Sequence, residues 1–358
     1  VARTGGKLAF DAVSGRLFFG DGGMTVSEIA PAVVGVGAVN WSLSLFPETA
    51  IPIVNPVTNR AYVGTSNLGS SIDVYSNAGR VGPITGLTPA QGRWGFAARH
   101  HASNTFYVVN GGSNPLATQV RPGTLGAIAG GTDFFMTAVE TIASPFGIGV
   151  NQARNHVYVA GNGGVSALGV QEPGQIRVHE GVNLSSSALA DTSAFGTAVA
   201  FGRHIEVLGD RAYVMVTSAV PLPTGGSPAW VAFLDGDSIP GTHVAQPLIF
   251  PSPFTNNDRV DVIRVNPANN LVYFGLFNNV SGQYNVVALD NTTHAVQATF
   301  TGGGHSRVHT ASWLAVNPAT NTLYVLDFTT DSIRRLNATT LVQIGTPIPL
   351  PDGPSAMA

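Results

Sequence analysis

Residues 264–275 read RVNPANNLVYFG, and this stretch decides the fold. An apolar strand ends in Asn266-Pro267. A short polar turn follows, closing on Asn270. A second strand then carries the aromatic pair Tyr273-Phe274. The chemistry is that of a tight hairpin: proline fixes φ, and asparagine tolerates the left-handed backbone at the end of the turn. The flanking β-branched and aromatic residues suit pleated, packed strands.

The same pattern recurs as IVNPVTNRAYVG (53–64), GVNQARNHVYVAG (149–161) and AVNPATNTLYVLD (315–327). Looser copies are AFDAVSGRLFFGD (9–21), AARHHASNTFYVV (97–109) and AFGRHIEVLGDRAYVMV (200–216). The paired positions are Phe18-Phe19, Tyr62-Val63, Tyr107-Val108, Tyr158-Val159, Tyr213-Val214, Tyr273-Phe274 and Tyr324-Val325. Tyr324 lies 306 residues after Phe18, six intervals of about 51 residues. A fixed period of this length marks a repeat architecture.

A third strand follows most pairs: SIDVYS (71–76), QIRVHE (175–180), WVAFLD (230–235), NVVALD (285–290) and SIRRLN (332–337). A fourth, edge-like segment closes the unit, such as VQATF (296–300) or LVQIG (341–345). Four antiparallel strands per unit make a propeller blade, and radial closure leaves only short, protected edges. A β-sandwich would not repeat one turn motif in this way, and a right-handed β-helix needs a shorter repeat. The expectation is an all-β, seven-bladed β-propeller with four-stranded antiparallel blades. One domain spans 1–358, with blades at 7–46, 47–91, 92–142, 143–193, 194–254, 255–304 and 305–358. The C-terminal DGPSAMA (352–358) reads like the start of a further inner strand, although KLAFDA (7–12) already supplies the first one.

Composition agrees. Hydrophobic residues make up 44% and charged residues 10% of the chain, against a usual charged share of about 25%. Glycine (43) and proline (23) supply the turns, while abundant Val, Ile, Leu, Phe and Tyr argue against disorder. The net charge is −3, Lys7 is the only lysine, and no Lys/Arg stripe forms, so no nucleic-acid surface is expected. With no cysteine, disulfides, thiolate catalysis and c-type haem attachment are excluded. No apolar run is long enough to span a membrane. The sequence begins Val1-Ala2-Arg3 without a charged-then-apolar leader; if an export signal existed, it is expected to have been removed.

The pattern Asn-Pro-x-Thr-Asn-x-x-Tyr-Val, with a later strand ending in Leu-Asp or Leu-Asn, resembles the YVTN family of β-propeller repeats. The match is sharpest over Asn55 to Val63, Asn266 to Phe274 and Asn317 to Val325; elsewhere it is degenerate, and the family's name tetrapeptide is not intact. The resemblance implies a seven-bladed propeller in a periplasmic, secreted or cell-surface setting. Roles in such relatives vary: surface-layer or adhesion modules, and non-catalytic subunits of periplasmic dehydrogenase complexes. Similar folds include lactonases and the streptogramin lyase. The repeat residues are structural, so function has to be argued from a site.

Propeller ligands sit at a mouth of the central channel, among loops that enter the inner strands. The segment GGGHSRVHTASW (302–313) alternates His305, Arg307 and His309, which an extended backbone puts on one side. Two imidazoles can bind a metal and an arginine a carboxylate or phosphate; the bland alternative is a solvated loop. TNNDRVDVI (255–263) offers Asn257, Asp258 and Arg259, oxygens that suit Ca²⁺ or Mg²⁺ beside a cation, or an Asx-turn leading into the strand. QGRWGF (91–96) offers Arg93 and Trp94, a stacking pair or a Trp buried between blades. Glu48 adds a carboxylate, or is an exposed loop charge. The candidate channel-mouth set is therefore Glu48, Arg93, Trp94, Asp258, Arg259, His305, Arg307 and His309, with Asp258, His305 and His309 as candidate metal ligands. His100 and His101 are adjacent, so on a strand they face opposite ways and make a poor joint metal site.

No Ser-His-Asp elbow, phosphate-cradling glycine loop or HExxH is present. Asn40, Asn183, Asn279, Asn291 and Asn337 begin N-x-S/T sequons. PLPTGGSPAW (221–230), an insertion in the fifth blade, is a candidate partner contact. The expected function is an extracytoplasmic binding module that docks another protein or a cell-surface component. The alternatives are a metal-assisted lactonase or lyase at the channel mouth, or a non-catalytic subunit of a redox complex.

Overall fold

A computed structural model describes residues 7–11, 16–20, 25–29, 39–44, 53–55, 57–64, 72–76, 79–84, 94–110, 122–161, 163–165, 171–195, 199, 201–216, 231–236, 243–250, 258–278, 280–304, 314–327, 330 and 332–349. For 7–44 the description is of the backbone alone. The described residues are nearly all strand, with one short 3-10 turn at Ser193–Phe195. The chain is a β-propeller.

The described strands form seven four-stranded sheets, each an antiparallel meander in chain order. The first holds Lys7–Asp11, Arg16–Gly20, Thr25–Ile29 and Val39–Ser44. The second holds Ile53–Asn55, Arg60–Gly64, Ile72–Ser76 and Gly79–Ile84; the third Trp94–His100, Thr105–Asn110, Pro122–Ala129 and Phe134–Ala143. The fourth holds Pro145–Asn151, His156–Gly161, Gln175–Glu180 and Ser187–Leu189, with a two-stranded excursion of Gly164–Val165 and Gln171–Glu172. The fifth holds Phe201–Leu208, Arg211–Val216, Val231–Asp235 and Ala245–Leu248. The sixth holds Asp258–Asn266, Leu271–Asn278, Gln283–Asp290 and Val296–Gly304; the seventh Leu314–Asn317, Thr322–Asp327, Ser332–Asn337 and Ile348–Pro349. First strands of neighbouring sheets pack on one another, so they line the inside.

The repeated hairpin joins first and second strands, and its asparagines do what their chemistry allows. Asn55, Asn151, Asn266 and Asn317 each accept a main-chain N–H two residues on, at 2.9–3.1 Å. The closing asparagines adopt left-handed backbone: Asn59 (φ 54°), Asn104 (50°), Asn155 (56°), Asn270 (56°) and Asn321 (48°). One strand differs from the sequence expectation. LVQIG (341–345) makes only an isolated bridge, Leu336 to Gln343, and the seventh sheet takes Ile348–Pro349 as its fourth strand. Leu341 turns left-handed there (φ 55°), which diverts the chain from immediate pairing.

The core is a series of seams rather than one centre. Tyr62, Phe106 and Ile128 belong to the cluster between sheets two and three; Tyr107, Leu125 and Val157 to that between three and four. Tyr158, Phe201 and Val214 join four to five, Tyr213, Phe274 and Leu276 five to six, and Tyr273, Leu323 and Val325 six to seven. The repeat tyrosines therefore face the following sheet. The hydroxyls of Tyr62, Tyr107, Tyr213 and Tyr273 end at one recurring place, the residue just after that sheet's third strand. Tyr107 reaches the Gly181 oxygen at 2.7 Å and Tyr273 the Ala338 oxygen at 2.7 Å. Tyr62 lies 3.3 Å from the Gly130 oxygen and donates to Asp133 Oδ1 at 2.6 Å. Tyr213 donates to Asn291 Oδ1 at 2.9 Å. A ring buried in the seam with its hydroxyl satisfied on the next sheet is a cross-blade clasp.

Candidate functional site

In a four-stranded meander, connections between strands one and two, and three and four, lie at one end. The others, including every entry to an inner strand, lie at the opposite end. Glu48, Arg93, His305, Arg307 and His309 fall in entry connections outside the described residues. Trp94 opens the inner strand of the third sheet, opposite Asn110, and is described by its backbone only. Asn257 and the insertion 221–230 also lie outside the described residues.

Asp258 and Arg259 open the inner strand of the sixth sheet. Asp258 is buried; it pairs across the ladder with Asn278, whose Nδ2 donates to its Oδ1 at 3.0 Å. Arg259 is held by both arms of its guanidinium: Nε donates to Asp261 Oδ1 at 2.7 Å and the second amine to Oδ2 at 3.2 Å. Its guanidinium carbon also stands 5.8 Å from the centre of the Phe277 ring, its cross-strand neighbour. The ladder shifts register between Val260 and Val262, so Asp261 sits in a bulge. Bidentate pairing fixes the arginine's geometry as well as its charge.

A second ion pair on the inner strands was not foreseen from sequence. Arg264 of the sixth sheet donates to Glu206 of the fifth at 3.1 Å and, through Nε, to the Leu314 oxygen of the seventh at 3.0 Å. One guanidinium thus laces three sheets. Burial pushes the Glu206 carboxyl above its ordinary range, with Arg264 pulling the other way. The available signal was Arg264 itself, a charge just before an Asn-Pro turn in a chain with few charges; its partner is 58 residues away.

The other histidines divide by seam. His100 is buried; its Nε2 lies 3.0 Å from the Gln152 main-chain oxygen and its Nδ1 2.8 Å from Ser103 Oγ. His101 is exposed, and burial of part of its ring lowers its pKa. The pair does not share a site. His294 packs on Phe233, ring centres 4.5 Å apart, with Nε2 3.1 Å from the Tyr213 hydroxyl. Among the described residues, no three His, Cys, Asp or Glu side chains are grouped to hold a metal ion. No described helix is long and apolar enough to cross a membrane.

No protein-family model matches the chain, and no curated protein matches it. Solved structures do. The chain is similar to Saccharomyces cerevisiae Sqt1 at 11% identity, covering 96% of this chain and 85% of that one, with a TM-score of 0.62. It is similar to apo AztD from Citrobacter koseri at 11% identity, 98% and 87% coverage and a TM-score of 0.60. It is similar to the WD40 repeats of RRP9 at 8% identity, 89% and 86% coverage and a TM-score of 0.55. Likeness at such identities shows the fold: WD40-type and other β-propellers surround this chain.

Proposed function

We propose that this chain is an extracytoplasmic, seven-bladed propeller of the YVTN type that docks a partner protein or a cell-surface component, with no catalytic chemistry of its own. The observation that carries the reading is how the inner-strand charges are used. Arg259 is clamped on Asp261, and Arg264 ties sheets five, six and seven together through Glu206 and Leu314. These groups build a stiff frame, and a stiff frame is what a docking surface needs to keep its recognition loops in place. Tyr324 keeps the register of the other repeat tyrosines, opposite Ala315, and in a closed ring it faces the first sheet.

The native mass of the protein from its own source, by size-exclusion chromatography with light scattering and mass spectrometry, tests the reading. A stable complex with a second polypeptide, well above 37.0 kDa, is expected. A lone monomer that turns over a lactone or ester would sink it. Cell fractionation tests the location.

A further inference from the structure

We propose that the seam between the third and fourth sheets is an acid-labile joint, with His179 as its trigger. His179 lies on Gln175–Glu180 and is buried. Its Nε2 stands 3.0 Å from Oγ1 of Thr141, itself buried, on the outer strand Phe134–Ala143 of the third sheet. Its Nδ1 is buried with no hydrogen-bond partner among the described residues. A neutral imidazole tolerates one bare ring nitrogen, whereas an imidazolium carries two N–H donors and a charge. Here the second donor would have no acceptor, and an unpaired buried charge is costly.

Among the described residues, nothing packed around the ring offers a compensating acid. On its own strand, Arg177 shares its face and Glu180 points to the other. The second strand of the fourth sheet contributes two titratable groups, His156 and Tyr158, the latter in the cluster towards the fifth sheet, and the outer strand Ser187–Leu189 none. The outer strand of the third sheet contributes Glu140, which is exposed. Tyr107, in the same apolar seam, is a neutral phenol held by Asn155 and Gly181. Burial, then Arg177, pushes the His179 pKa down from 6.5 to about 4. The sign follows: the folded seam prefers the neutral ring, so its stability is complete above 6.5 and is lost as pH falls from there towards 4. The element that yields is the outer strand Phe134–Ala143, an edge whose Phe134 and Met136 are already exposed. Its release would bare the seam only when the medium turns acid.

Hydrogen–deuterium exchange of the full chain reads this directly, with labelling times scaled for intrinsic rates. Between about pH 7.5 and about pH 5, the opening equilibrium of residues 134–143 and 175–180 is expected to rise about 25-fold. Residues 322–327 line the sixth–seventh seam, whose apolar cluster contains no histidine, and should not change. His179→Gln still reaches Thr141 but cannot take a proton, and should abolish the rise. Equal acceleration in both seams, or an undiminished rise in His179→Gln, overturns the proposal. If that variant does not fold, the contrast between seams in the wild type decides.

Discussion

The Tyr107 hydroxyl lies 2.7 Å from the main-chain oxygen of Gly181, across the seam between the third and fourth sheets, and 2.7 Å from Asn155 Oδ1. Its one proton is shared between two acceptors. Tyr107→Phe leaves the buried Gly181 oxygen and the half-buried Asn155 Oδ1 without it, which should cost about 1–3 kcal/mol. Urea unfolding should show the lower midpoint. Tyr273→Phe, which loses the same contact to Ala338, should behave alike. Unchanged midpoints in both would mean the clasp is incidental.

Alkaline titration addresses the same group. Burial holds the Tyr107 phenol up at about 12, against an ordinary 10.0, and Tyr75 is likewise raised to about 12. The folded chain prefers the neutral phenols, so the stability they contribute is full below pH 10 and is lost as pH rises through 12. Phenolate absorbance from these groups should therefore appear late, above the ordinary value and together with loss of the β-sheet signal. A single stage near the ordinary value, with the sheet intact, would contradict the buried clasp.

Gly302 lies on the outer strand of the sixth sheet, where any Cβ would run into the ring of Tyr284. Gly302→Ala should destabilise by about 1–3 kcal/mol, the usual cost of overpacking a filled core. Gly131 faces open space at the turn of the third sheet. Gly131→Ala should stay within about 0.5 kcal/mol of the parent. Thermal melts of the two variants side by side make the comparison.

Asn59 separates backbone from side-chain effects, because its Oδ1 is buried with no hydrogen-bond partner among the described residues and its φ is 54°. Asn59→Gly keeps the left-handed backbone accessible and should change stability by less than about 0.5 kcal/mol. Asn59→Ala keeps the Cβ in that region but removes the short amide side chain that makes it tolerable, and should cost about 1 kcal/mol. Calorimetry that ranks alanine at or above glycine would refute the turn assignment.

The turn chemistry of the repeat was readable because it is local. Asn55 and Asn59 act within five residues, and the Tyr62 period repeats wherever a blade does. The clasp acceptors were not readable. Gly130, Gly181, Asn291 and Ala338 share a place in the fold but no side chain in common, since the recurring partner is a main-chain oxygen. At the candidate site, sequence marked Asp258 and Arg259 as polar groups at a strand entry. It did not reveal that Asn278, Phe277 and Asp261 engage them, because two of those neighbours arrive through ladder register and the third through a bulge.

The sequence by itself determined that this chain is a β-propeller, since a hairpin motif with a fixed period leaves each sheet one face to bury against the next. Tertiary structure alone decided which charges meet. Glu206 and Arg264 come from different sheets, and only the packing of inner strands brings them to 3.1 Å. The same holds for His179 and Thr141, which become one buried pair only when the third and fourth sheets close on each other.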